Sequence, residues 1–138
     1  MRTRSKFFYR VLFLAAVLAP VQCVWCQALT LSPAEPKIGA QIAVSYDESV
    51  TGAAIKGGNP LVLEAMLMRS NAPSLLKEIL LKRDGNVWVG GFLLDDELSL
   101  LILFRVVSGD LKDDNGGRPW SLLVYGKDGK AFEGRACQ

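Results

Sequence analysis

The chain has 138 residues, room for one domain and not two, and half of them are hydrophobic, enough to build a core. It contains no histidine, which removes Ser-His-Asp and Cys-His catalysis and the usual zinc and haem ligand sets. Its formal charge of +2 comes from Arg2, Arg4, Lys6 and Arg10; without these four, 12 Lys and Arg face 14 Asp and Glu, and nucleic-acid binding loses its electrostatic support.

That basic start is followed by an apolar run over 11–21 (VLFLAAVLAPV), shorter than the ~20 residues a membrane-spanning helix needs. With small residues near Ala28, this is the pattern of a cleavable secretory signal. The expected organisation is a signal-peptide helix over 1–28 and an exported domain over 29–138. Cys26-Gln27-Ala28 offers the cut. A lipid on Cys23 competes with it, but Pro20-Val21-Gln22 precedes that cysteine, and Gln is a poor substitute for the small residue a lipoprotein peptidase requires. The expected location is periplasmic or secreted, and the membrane is met only through the signal or such a lipid.

Cys23-Val24-Trp25-Cys26 has the CxxC spacing of thiol–disulfide oxidoreductases. No strand and helix frame it and it lies in the segment to be discarded, so the redox reading is the weaker of the two. Cleavage after Ala28 leaves Cys137 alone, as a free thiol, an intermolecular bridge or the mark of a shortened chain.

Beyond residue 28, apolar segments recur about every ten residues between turn signals, the rhythm of a sandwich. Leu29-Thr30-Leu31 opens it and 32–39 bends. Residues 41–46 (QIAVSY) alternate as a half-buried strand does, 47–60 is a glycine-rich loop, and 61–68 (LVLEAMLM) is a strand. Residues 75–83 (LLKEILLKR) fit a helix capped by Ser74, or a strand entering the Asp84-Gly85-Asn86 turn with 87–94 as its hairpin partner. The hairpin favours the strand. Residues 98–107 (LSLLILFRVV) are apolar on both faces, as in a central strand, with Arg105 reaching an edge or pairing with an acid. A polar loop over 110–119, a strand over 120–125 and a short segment over 131–133 complete the chain. About seven strands with short turns predict an all-β, immunoglobulin-like antiparallel β-sandwich.

The acidic loop DLKDDNGG holds the best polar constellation: Asp113, Asp114 and Asn115 with Asp110. Hard oxygens this close suggest calcium, but EF-hand spacing would place Leu111 at the first ligand position. A solvated turn, with Asn115-Gly116-Gly117 supplying positive φ, is favoured, and neither a metal nor a cofactor is expected. Acid–base work on a glycosidic bond is disfavoured, because adjacent Asp113 and Asp114 would point apart and a loop on a small sandwich offers no cleft. Trp88, Trp120, Tyr46 and Tyr125 could stack on sugar rings or fill the core. Trp120, next to the acidic loop, is expected to be the more exposed.

Leu31-Ser32-Pro33 with Pro36 and Gly39, Gly85-Asn86-Val87-Trp88, Asp114-Asn115-Gly116-Gly117, and 124–130 (VYGKDGK) carry a resemblance over nearly all of 29–138. On these residues the chain resembles the N-terminal immunoglobulin-like domain of exported bacterial proteins of the thioredoxin-like class. There the sandwich is followed by helices and a redox-active domain, where this sequence ends. The resemblance implies an accessory module without the activity, from a truncated or degenerate relative. Asp113-Asp114-Asn115-Gly116-Gly117 with Trp120 also resembles the binding loop of starch-binding modules of secreted amylases. The expected function is a non-catalytic interaction or spacer domain whose partner is an envelope protein; the alternative is a starch-type carbohydrate-binding module whose partner is a polysaccharide.

Overall fold

A computed structural model describes residues 27–131. Most of the expected signal peptide, the CxxC pair, Cys137 and most of the last short segment lie outside the described residues. Among the described residues the chain is all-β, two antiparallel sheets with no helix. Nine strands form: β1 (Leu29–Ser32), β2 (Gln41–Asp47), β3 (Val62–Arg69), β4 (Leu75–Leu80), β5 (Lys82–Asp84), β6 (Val87–Leu93), β7 (Ser99–Ser108), β8 (Leu111–Asp113) and β9 (Trp120–Leu123).

The first sheet has the order β1-β2-β6-β5. In the second, β4-β3-β7 is flanked on the far side of β7 by β8 and β9, which take successive stretches of that long strand. Strand alternation places one set of side chains between the sheets. Ile42, Val44 and Tyr46 of β2 and Trp88 and Phe92 of β6 share one core with Leu63, Ala65 and Leu67 of β3 and Ile102, Phe104 and Val106 of β7. Phe92 and Phe104 meet across it, their ring centroids 6.2 Å apart. The glycine-rich loop after β2 is itself packed: Ala53, Ile55 and Leu61 drop into the core.

The strand reading of 75–83 holds, but the segment is two strands on different sheets. β4 pairs with β3 and β5 with β6, so only the last three residues before the turn belong to the expected hairpin. The division falls at Leu81, whose amide donates to the Leu61 carbonyl at 2.9 Å and whose side chain is buried. Gly90 makes room for it: a Cβ there would lie 2.7 Å from the Leu81 Cδ2. Gly85 has positive φ (63°), as the first central position of a type II′ hairpin turn requires. The expected polar loop over 110–119 is also corrected, because its start forms β8.

Gly91 is a tighter restriction. A Cβ at this position would sit 2.6 Å from the Ile42 carbonyl oxygen of β2, a backbone atom that cannot swing aside. Gly91→Ala is expected to cost about 1–3 kcal/mol as an overpacking change. Gly90→Ala should cost less, because it meets the flexible end of a side chain. Urea denaturation midpoints of the two variants check this order.

Candidate functional site

The loop residues singled out in the sequence are split by the fold. Asp113, at the end of β8, is only 2% exposed. Its Oδ2 accepts from the Tyr46 hydroxyl at 2.7 Å and from the Ala54 amide at 2.9 Å, and its Oδ1 accepts from the Asn115 amide at 3.0 Å. The Tyr46 oxygen in turn accepts from the Ile55 amide at 3.2 Å. This cluster ties β2 of the first sheet to β8 of the second and pins the loop between β2 and β3. Burial, reinforced by the bond to Asp113, pushes the Tyr46 phenol far above its ordinary range, so it remains a proton donor.

The Asp114 and Asn115 side chains stand outside that cluster, joined to it only by the Asn115 backbone amide, and shape their own turn. The Gly117 amide donates to Asp114 Oδ1 at 2.9 Å, the Asn115 side-chain amide donates to the Arg118 carbonyl at 3.0 Å, and Asn115 has φ of 58°. This is an Asx-type turn in which the polar groups serve the backbone. Among the described residues no group of three or more Cys, Asp or Glu is placed to hold a metal ion.

The exposure expected of Trp120 is corrected. Its strand alternation points it inward opposite Phe104, and it is 7% exposed; Trp88 is 6% exposed on the other sheet. Neither indole N–H has an acceptor among the described residues. Arg83 lies over the Trp88 ring, 5.8 Å from its centroid, and also pairs with Glu48 at 3.3 Å. Beside Trp120 an open groove of about 460 Å³ runs between β1 and β9, with Leu29, Leu31, Asn115 and Arg118 along it.

The feature that sequence reading missed is the outer face of the second sheet. Register places Val62, Glu64, Met66 and Met68 of β3 beside Leu80, Glu78 and Leu76 of β4 and beside Val107, Arg105, Leu103 and Leu101 of β7, with Leu123 of β9 beyond. Met66, Met68, Leu76, Leu80 and Leu123 are 36%, 39%, 45%, 59% and 50% exposed. Glu64 and Arg105 stand opposite each other at the centre and form an ion pair, as expected of Arg105. Beside them lies a shallow depression of about 210 Å³, bordered by Met66, Leu76, Leu103 and Pro119.

The first sheet differs in part. Its outward positions on β1 and β2 are Thr30, Ser32, Gln41, Ala43 and Ser45, small or polar, as a solvated face should be, while β6 adds Val87, Val89 and Leu93. Contiguous apolar patches on a monomer's surface, the largest about 300–600 Å², are often functional. The signal was present in 98–107: a strand apolar on both faces is either covered twice or exposes one face.

No protein-family model matches the chain, and no curated protein matches it.

Proposed function

We propose that the chain is an exported, non-catalytic, immunoglobulin-like β-sandwich that works as an interaction module, docking through the outer face of the second sheet. The observation that carries this reading is the outer face of the second sheet, where Leu, Met and Val side chains surround the central Glu64–Arg105 ion pair and outnumber the apolar residues Val87, Val89 and Leu93 on the first sheet's outer face. An exposed face of that composition loses free energy to water unless a partner covers it. The resemblance to the N-terminal domain of thioredoxin-like envelope proteins supports the same role, as an accessory module carrying no chemistry of its own.

A starch-type carbohydrate module is the second reading, favoured by the groove between β1 and β9 with Trp120, Asn115 and Arg118 on it. It is weaker because both described tryptophans are held in the core, leaving little aromatic face for a sugar ring.

The test is site-specific photo-cross-linking in the producing cell, with the reactive group placed at Leu103 on that face or at Ser45 on the outer face of the first sheet. A discrete adduct from Leu103 and none from Ser45 is the expected result. Adducts from neither position would reduce the domain to a spacer.

A further inference from the structure

Resting on that reading of the face, we infer that its occupant is a second copy of this chain, related by a two-fold axis running along the strands, with Glu64 of each copy meeting the partner's Arg105. The charges on the face are ordered, and the order is antisymmetric. Glu78 on β4 and Glu64 on β3 occupy one flank; Arg105 on β7 and Lys112 on β8, the latter 3.8 Å from Asp114, occupy the other. Glu78, Glu64 and Arg105 form a single row across the sheet, and Lys112 stands in the neighbouring row beside Val107.

Two geometries lay such a face against its own copy with the strands aligned. An axis across the strands would stack Glu64 on the partner's Glu64. An axis along the strands exchanges the flanks, setting acids over bases, and keeps the strands nearly aligned as face-to-face sheets prefer. It also sets Met66 over the partner's Leu103, Met68 over the partner's Leu101 and Val62 over the partner's Val107. This is the self-complementarity a two-fold interface requires, residue i meeting j and j meeting i.

The polar groups at the centre have bonding capacity left for such a partner. The Arg105 side chain is 48% exposed and uses its Nε on Glu64, leaving the two terminal nitrogens with no acceptor among the described residues. Glu78 is exposed and pairs with no cation among the described residues. The contact would use the apolar side chains of β3, β4, β7 and β9 together with the polar ones among them, as a standard interface of about 800 Å² per partner does. Met66 and Met68, unbranched and adaptable, suit the middle of such a contact.

The test uses the protein as it accumulates in the producing cell, with sedimentation velocity over a range of concentrations. Wild type is expected to reach twice the mass of one chain. Glu64→Arg and Arg105→Glu leave like charges at the centre, and each alone should weaken self-association roughly a hundredfold or more. A one-to-one mixture of the two variants should restore the two-copy species, because one presents two bases and the other two acids. Far-UV circular dichroism of each variant confirms that the sheets are intact. A wild type that stays at one copy throughout overturns the inference, as does a mixture that fails to pair. The cross-linking at Leu103 separates this from the broader reading: an adduct to a different protein, with a single-copy wild type, keeps the interaction module and removes the self-pairing. A cross-link confined to one chain removes both.

Discussion

Trp120→Ala is expected to destabilise the protein by about 3–5 kcal/mol, the cost of removing a large aromatic side chain from a packed core. Trp120→Phe should cost much less than this. The ring lies inward on β9 opposite Phe104, and its Nε1 is buried with no acceptor among the described residues. Phenylalanine keeps most of the apolar contact and removes a donor that the fold leaves unpaired, so part of the lost volume is offset. Urea denaturation of both variants measures the difference, and retention on insoluble starch separates packing from binding. A Trp120→Ala protein as stable as wild type that nevertheless lost retention would move Trp120 out of the core and onto a sugar site. Equal retention of wild type and Trp120→Phe, or none by either, leaves the tryptophan as packing.

Asp113→Ala should lower stability by about 3 kcal/mol, because it strands the Tyr46 hydroxyl and the Ala54 amide in the interior. For a domain of this size that corresponds to a fall in Tm of roughly 10–20 °C. Asp113→Asn keeps an acceptor but sets an N–H against donors, and should fall between the two. Because Tyr46 and Asp113 act as one unit, the double variant with Tyr46→Phe should cost less than the two single losses together. The phenol adds an alkaline limb. Its folded pKa is raised above the unfolded value of about 10, so its contribution is complete below pH 10 and declines as the pH climbs beyond it. Tyr46→Phe should lack that part of the alkaline loss. Thermal melts between pH 7 and 11 decide this, and parallel curves for wild type and Tyr46→Phe would show that the hydroxyl does not hold the two sheets.

The sequence by itself determined the elements that depend on near neighbours. Alternation in 41–46 placed Ile42, Val44 and Tyr46 on one side of a strand, and the structure buries all three. Asp84-Gly85-Asn86 announced its turn because only a residue free to take positive φ suits that position. Arg105, a cation inside an apolar strand, had either to reach an edge or to pair with an acid, and strand register supplied Glu64. Only the tertiary structure decided which of two apolar or polar faces was covered. Leu81 reads like its neighbours in LLKEILLKR, yet it marks the change of sheet, because Gly90, nine residues later, leaves the space it fills. Asp113 and Asp114 are indistinguishable in sequence. One is buried because Tyr46, 67 residues away, brings a donor to it; the other stays in its turn. The run LSLLILFRVV looked doubly covered for the same reason. A strand's period of two states that it has two faces and what each carries, while the layer that lies against each face is set by chain segments far away in sequence.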